Sequence, residues 1–208
     1  MATTKTAERL PRGRHGLSRD EVLASQLGRM LDALCQAVAE QSYAETSVAD
    51  VIERAGVSRE TFYEHFAGKE DCFLSAYELA SLRLQEAVAD AVSPGDVDPL
   101  DQFDRAITAY LRTMSEQQAY ARVFLVDVYA AGPAALSRRF RVFQAFVDTI
   151  VEIFGVRRAS QRALCEALVG AVSSLVTIRV AVGEFDELPG LRGEIREIAR
   201  RLDPRGPR

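Results

Sequence analysis

The chain has 208 residues, of which 48% are hydrophobic and 27% are charged. These values are typical of a globular protein with a substantial core and argue against a disordered or fibrous chain. Three widely spaced cysteines without a Cys-x-x-Cys pair favour buried thiols and a cytoplasmic location over a disulfide framework. The longest uncharged apolar stretch, 167–178, is shorter than the roughly 20 residues a membrane span needs, so no membrane association is expected.

Charge is unevenly distributed along the chain, whose net charge is −4. Residues 1–19 carry five basic side chains against one acidic one, whereas residues 20–69 carry four against nine. Within the basic arm, residues 1–18, Arg12 and Arg14 stand among helix-opposing Pro and Gly residues. Two interpretations stay open, namely an arm that enters the minor groove of DNA and a disordered tail that improves solubility.

The first strong element is an amphipathic helix predicted over 19–41, and residues 46–73 follow it with two short helices and the start of a third. Ser47 is predicted to cap the helix over 47–55, with Asp50 three residues on. Gly56 ends that helix, because glycine adopts the left-handed conformation at little cost. Ser58 caps the next helix, over 58–65. Two short helices joined by a tight turn are typical of a DNA-reading helix-turn-helix.

The run from Arg29 to Phe73 resembles the N-terminal domain of TetR-type (tetracycline-repressor-like) transcriptional regulators. The matching residues are the first helix ending in Ala39, Glu40 and Tyr43, the segment TSVADV, the block AGVSRETFYEHF, and the KEDCF that opens the fourth helix. One departure is Ser42, where the family commonly has glycine. Serine there is expected to cost some stability if the backbone angle φ is positive.

Carried over position by position, the resemblance implies a set of DNA contacts. Arg59 is the best candidate for base readout, since guanidinium pairs bidentately with guanine, although a phosphate contact is nearly as good an interpretation. Glu60 could accept from a cytosine amino group or repel phosphate. The complete set of expected DNA contacts is Arg12, Arg14, Thr46, Ser47, Ser58, Arg59, Thr61, Tyr63, His65 and Lys69.

The rest of the chain also has helical periodicity and no strand pattern. The predicted fold is therefore all-α, with about nine helices in an N-terminal three-helix helix-turn-helix domain (19–68) and a larger C-terminal domain (69–208). The resemblance implies that the larger domain binds a ligand and dimerises. The predicted later helices cover 69–92, 99–117, 119–130, 134–154, 160–182 and 190–202.

Aromatic residues are concentrated in the C-terminal domain. They could line an apolar pocket for a small-molecule effector, or they could be ordinary core. The candidate pocket residues are Phe103, Tyr110, Phe124, Tyr129, Phe143 and Phe146.

The segment 160–182 is apolar around much of its girth, which indicates burial on two sides. The second side could pack against another copy of the chain, or the helix could be a central core helix of a monomer. The candidate dimer residues are Leu164, Leu168, Val172 and Leu175.

The sequence contains no recognisable catalytic motif, and no metal or cofactor site is expected. The function predicted is a non-enzymatic DNA-binding regulator, a repressor that binds a palindromic operator as a homodimer and is released by a largely apolar effector. The alternative is a helical scaffold that retained the fold and lost sequence-specific DNA binding. The acidic charge of residues 20–69 supports this alternative.

Overall fold

The computed structural model describes residues 19–92 and 98–202, and within these ranges it contains helices and turns without a strand. Two 3-10 segments, Asp127–Tyr129 and Phe185–Leu191, supplement the α-helices. The all-α prediction is confirmed. The nine α-helices in the described ranges are α1 Arg19–Glu45, α2 Val48–Ala55, α3 Arg59–His65, α4 Lys69–Ala91, α5 Pro99–Glu116, α6 Gln118–Leu125, α7 Pro133–Phe154, α8 Ala159–Val182 and α9 Arg192–Leu202.

The short helices begin and end at the residues that local chemistry favours. The Ser47 side chain accepts from the backbone N–H of Asp50, whose carboxylate accepts from the Ser47 N–H, so both halves of a capping box are present. Gly56 ends α2 in the left-handed conformation, with φ 64°. The Ser58 hydroxyl accepts from the N–H of Thr61 at the start of α3. The predicted caps are confirmed at all three positions.

The first helix is interrupted near its C-terminal end. Ser42 has φ 80° and ψ 161°, a combination essentially restricted to glycine, and it divides α1 close to the predicted helix end at 41. Its carbonyl oxygen accepts from both the backbone N–H and the hydroxyl of Thr46, at 3.2 and 2.7 Å. The strained residue therefore turns the chain from α1 into the helix-turn-helix.

A continuous hydrophobic core joins the N-terminal helices to the rest of the fold. Helix α1 contacts α2, α4 and α6, so the first helix is shared between the helix-turn-helix and the larger helical body. The cysteines Cys35, Cys72 and Cys165 are all free and buried, as the sequence predicted. Burial raises the pKa of the Cys72 thiol to about 12, so it stays protonated and unreactive.

The predicted helix over 119–130 is wrong in its second half. Helix α6 ends at Leu125, and a 3-10 turn follows in which Asp127 is buried. The Asp127 carboxylate accepts from the backbone N–H of Tyr43 at 3.0 Å. A contact that is 84 residues away along the chain leaves no periodic signal in the sequence.

Helices α7 and α8 form an antiparallel pair. Arg162 near the start of α8 forms an ion pair with Asp148 at 2.7 Å, and Arg139 near the start of α7 donates to Ser173 at 3.1 Å. Gly155, in the left-handed conformation with φ 62°, ends α7 directly after Phe154, where the sequence predicts the end of this helix.

Candidate nucleic-acid interface and effector cavity

Helix α3 presents one face to the core and the opposite face to solvent. Phe62 and Phe66 are buried, at 0% and 3% exposure, and their rings lie 5.3 Å apart. Arg59 and Tyr63 are exposed on the outer face, where the guanidinium lies 5.5 Å from the centre of the Tyr63 ring. The aromatic pair therefore fixes α3 from behind and leaves its outer face free for a partner.

The hydroxyl groups at the start of α3 contact each other. Ser58 Oγ accepts from the Thr61 N–H at 3.0 Å and lies 2.9 Å from Thr61 Oγ1. Ser58 is exposed and Thr61 is half-buried. These two predicted contacts therefore lie together beside Arg59, at the helix end whose N–H groups favour phosphate.

Thr46 lies in a different environment from the one its predicted role requires. The residue is 2% exposed, and its hydroxyl donates to the Ser42 carbonyl. Its side chain is therefore part of the turn after α1, which corrects the prediction of a phosphate contact. Neighbouring Ser47 is exposed, and its hydroxyl donates to the Asp50 carboxylate at 2.7 Å.

Lys69 and His65 also face the protein. The Lys69 side chain is held by internal contacts, and one ring nitrogen of His65 is buried. The Lys69 ammonium donates to the Tyr43 carbonyl at 2.8 Å and lies 4.3 Å from the centre of the Tyr43 ring. His65 Nε2 is buried without a hydrogen-bond partner. Lys69 thus ties the start of α4 to the end of α1, a structural role that the sequence did not reveal.

Most of the basic side chains of residues 20–69 are engaged in contacts within the protein. Arg29 donates to the Ala55 carbonyl at 3.1 Å, and Arg54 forms an ion pair with Glu40 at 2.6 Å. Arg59 is exposed and makes no ion pair with the described residues. Among the basic residues of 20–69, Arg59 is therefore the one left free of the contacts that engage Arg29, Arg54 and Lys69. The predicted contacts Arg12 and Arg14 lie outside the described residues.

An apolar cavity that opens to solvent lies between helices α4 to α8. Five of the six predicted pocket aromatics line it, and the exception is Tyr129, which is 56% exposed and packs under Arg139. Such concave, mostly apolar spaces are typical of small-molecule sites. The five predicted residues that line it are Phe103, Tyr110, Phe124, Phe143 and Phe146.

Polar groups that the sequence did not single out lie in the cavity wall. Arg139 donates to the Phe124 carbonyl at 3.4 Å and to the Ser173 hydroxyl at 3.1 Å. Tyr77 is buried in the wall, and its hydroxyl has no hydrogen-bond partner. A single arginine in a helical segment gives no sequence signal for such a position, because a solvated helix face has the same pattern.

The predicted dimer residues divide between the two sides of α8. Leu168 and Val172 are 1% and 7% exposed and line the cavity, which corrects their assignment to a surface that could contact a partner. Leu164 and Leu175 are half-buried. The exposed apolar residues of α8 lie nearer its C-terminal end, where Ile178 and Val182 are 56% and 64% exposed and therefore form part of the solvent-facing side.

By length and composition α8 is apolar enough to cross a membrane, although the core helix of a globular protein passes the same test. Only 28% of its most apolar window is buried within the fold. Its apolar surface therefore extends well beyond what the rest of the chain covers in the described residues.

The helix-turn-helix matches a known family. Residues 30–76, from α1 into α4, match the sequence model of the bacterial regulatory proteins of the tetR family. A curated relative, the HTH-type transcriptional regulator EthR of Mycolicibacterium smegmatis, is 30% identical over 125 residues, which cover 58% of this chain. The match spans 54% of EthR, about half the length of that relative. Over these segments the chain is similar to regulators of the TetR family.

Solved structures extend the likeness in fold to most of the chain. The fatty acid degradation regulator FadR of Bacillus halodurans matches with a TM-score of 0.73 at 16% identity, over 83% of this chain and 93% of that one. FadR of Bacillus subtilis, solved in complex with stearoyl-CoA, matches with a TM-score of 0.72 at 16% identity, over 82% and 95% of the two chains. At these identities the comparison shows a shared fold.

Proposed function

We propose that this protein is a transcriptional repressor that binds a palindromic operator as a homodimer and is released by a small, largely apolar effector. The observation that carries the proposal is the orientation of α3, whose outer face presents Arg59 and Tyr63 while Phe62 and Phe66 fix it to the core. A helix exposed in this way after a tight turn fits the major groove of DNA. The match of residues 30–76 to the model of tetR-family bacterial regulatory proteins supports this function, which we place in the cytoplasm.

This proposal assigns a role to each of three segments of the chain. Residues 1–18 form the basic arm, 19–68 the DNA-binding domain, and 69–208 the effector and dimerisation domain. The arm supplies positive charge that the acidic DNA-binding domain lacks. DNA affinity is therefore expected to depend strongly on the arm.

Dimerisation is proposed to use the exposed apolar side of the α7–α8 pair. Leu136 and Phe140 of α7 are 42% and 61% exposed, and the antiparallel register places them at the same end of the pair as Ile178 and Val182 of α8. Exposed apolar clusters of this kind mark association sites. A two-fold dimer would present two α3 helices to successive major grooves.

The proposed transmission route runs from the cavity wall to the DNA-binding domain through α6. Phe124 and Leu125 line the cavity, and Asp127 lies two residues beyond Leu125. The Asp127 carboxylate accepts from the Tyr43 N–H at 3.0 Å, while Lys69 donates to the Tyr43 carbonyl at 2.8 Å. An effector that moves α6 would therefore change the position of α1 and α4 relative to α3. Regulation requires that the effector bind one of these arrangements more tightly than the other.

The test is selection of genomic DNA fragments by the purified protein, followed by affinity measurements at stated salt. We expect a palindromic site whose affinity falls roughly 10-fold or more in Arg59→Ala, the range for loss of a bidentate base contact. Arg105→Ala is the matched control, since Arg105 is an exposed arginine on α5. A folded dimer that enriches no site would instead favour the scaffold function, which the acidic charge of residues 20–69 supports.

A further inference from the structure

The cavity that helices α4 to α8 enclose contains a single charged side chain among the described residues that line it. That residue is Arg139, and the remainder of the wall is apolar apart from the hydroxyl groups of Tyr77, Tyr110, Thr149 and Ser173. The cavity wall therefore contains a cation without an acid to neutralise it. A charge in apolar surroundings is costly unless it is paired, so this arrangement is informative about the ligand.

Arg139 has only neutral partners within the described residues. Its two terminal nitrogens donate to the Phe124 carbonyl and the Ser173 hydroxyl, at 3.4 and 3.1 Å, and its guanidinium lies 4.8 Å from the centre of the Tyr129 ring. The guanidinium has five N–H donors and pairs best with a carboxylate, which accepts two of them in parallel. The protein thus supplies a half-buried guanidinium and no anion to match it.

The Tyr77 hydroxyl is a second polar group without a partner. Tyr77 is 1% exposed, and its oxygen is buried without a hydrogen bond. Arg139 and Ser81 lie close enough to affect its ionisation, yet neither reaches hydrogen-bond geometry. Burial raises the pKa of Tyr77, so the hydroxyl remains protonated and can donate. Since buried polar groups in native proteins are nearly always paired, an unpartnered donor in a cavity wall indicates an acceptor on the ligand.

These polar groups lie where the cavity adjoins the surface. A groove between α4 and α7 shares Tyr77 and Val142 with the cavity. Arg138 and Glu78 form an ion pair across this groove at 3.3 Å. A ligand could therefore place its apolar part deep among the aromatic residues and its polar end near the groove.

We propose that the effector is an apolar compound with one carboxylate, which accepts from the Arg139 guanidinium and the Tyr77 hydroxyl while its apolar body fills the aromatic cavity. This inference rests on the proposed function, because it names the effector class of the same site. It also connects binding to release from DNA. A carboxylate that draws Arg139 away from the Phe124 carbonyl acts on α6, three residues before Asp127.

The experiment measures direct binding of matched probe pairs to the full-length protein by calorimetry, without DNA. The pairs are decanoate with methyl decanoate, and 2-naphthoate with methyl 2-naphthoate, so that an aliphatic and a flat aromatic body are each tested with and without the charge. We expect the carboxylate of at least one pair to bind about 10-fold more tightly than its ester, as a charge-assisted hydrogen bond gives. Equal affinities within both pairs, or no binding of either carboxylate, would overturn the proposal.

Three variants separate a ligand contact from a structural role. Tyr77→Phe should weaken carboxylate binding about 10-fold without lowering thermal stability, because it removes a buried hydroxyl that has no partner in the protein. Arg139→Gln should reduce the preference for carboxylate over ester to about 3-fold or less. The control is Arg112→Gln, which replaces an exposed arginine of α5 and should preserve the preference. A preference that survives both Tyr77→Phe and Arg139→Gln would overturn the assignment of these residues.

A separate measurement of operator binding distinguishes failure of the proposed effector class from failure of the proposed regulator function. If the protein binds its operator and no carboxylate binds the cavity, the effector class is wrong and the regulator function stands. If a carboxylate binds through Arg139 and the protein enriches no DNA site, the effector class stands and the regulator function fails.

Discussion

Replacement of Ser42 by glycine should stabilise the protein, because the backbone at this residue suits glycine. Ser42 has φ 80° and ψ 161°, and a non-glycine residue in this region costs about 1–3 kcal/mol. Glycine removes that cost and adds freedom to the unfolded chain worth about 0.5–1 kcal/mol. The hydrogen bonds from Thr46 end at the Ser42 carbonyl oxygen, so the substitution keeps them. The net expectation is a gain of about 1 kcal/mol in the free energy of unfolding.

Urea unfolding followed by circular dichroism measures this difference, with all variants at one protein concentration, since dimerisation would make stability concentration-dependent. For a chain of this size, about 1 kcal/mol corresponds to a rise of roughly 2–4 °C in Tm. Two controls accompany the measurement. Ser42→Ala removes the hydroxyl and keeps the strained Cβ, so it should give no such gain, while Ala87→Gly within α4 should cost about 1 kcal/mol.

Equal stabilisation by Ser42→Ala and Ser42→Gly would refute the role of the backbone angle, because the side-chain hydroxyl would then be responsible. A loss of stability in Ser42→Gly would refute it as well. In the expected case, hydrogen exchange should show the added protection in α1 to α3, since Ser42 joins α1 to the helix-turn-helix.

Three further predictions concern buried carboxylates and the proposed dimer surface. Burial raises the pKa of Asp127, so its charged form lowers the stability of the protein at neutral pH. Asp127→Asn should therefore be more stable than wild type at pH 7 and lose that advantage as the pH falls through the raised pKa. The same variant should weaken effector-induced release of DNA. The Arg192 guanidinium lowers the pKa of Asp104, so Asp104→Asn should cost about 1–2 kcal/mol at pH 7, a cost that disappears as the pH falls through the lowered pKa in acid unfolding curves. If the proposed dimer forms through α7 and α8, Ile178→Glu should convert it to monomer in sedimentation experiments. Leu82→Glu, at a similarly exposed residue of α4, should leave the dimer intact, and a dimer in both variants would exclude this surface.

The sequence by itself determined the local elements of this protein. Ser47, Gly56, Ser58 and Gly155 terminate helices through contacts within a few residues, so their effects can be read from the chain directly. The same local chemistry made the helix-turn-helix recognisable. The stability cost of serine at position 42 also depends only on a local backbone angle, and the structure shows that this angle is positive, with φ 80°.

The tertiary structure alone decided which sides of these helices face the cavity, the core and the solvent. Helix α8 is apolar around its girth, so periodicity could not show that Leu168 lies in the cavity wall while Ile178 is exposed. Thr46 matches the family pattern for a DNA contact, yet its hydroxyl is bonded to the chain turn. The functions proposed for Arg139 and Asp127 depend on partners 34 and 84 residues away, at Ser173 and Tyr43. Such contacts arise from the packing of whole helices, and a pattern that spans only one helical turn carries no information about them.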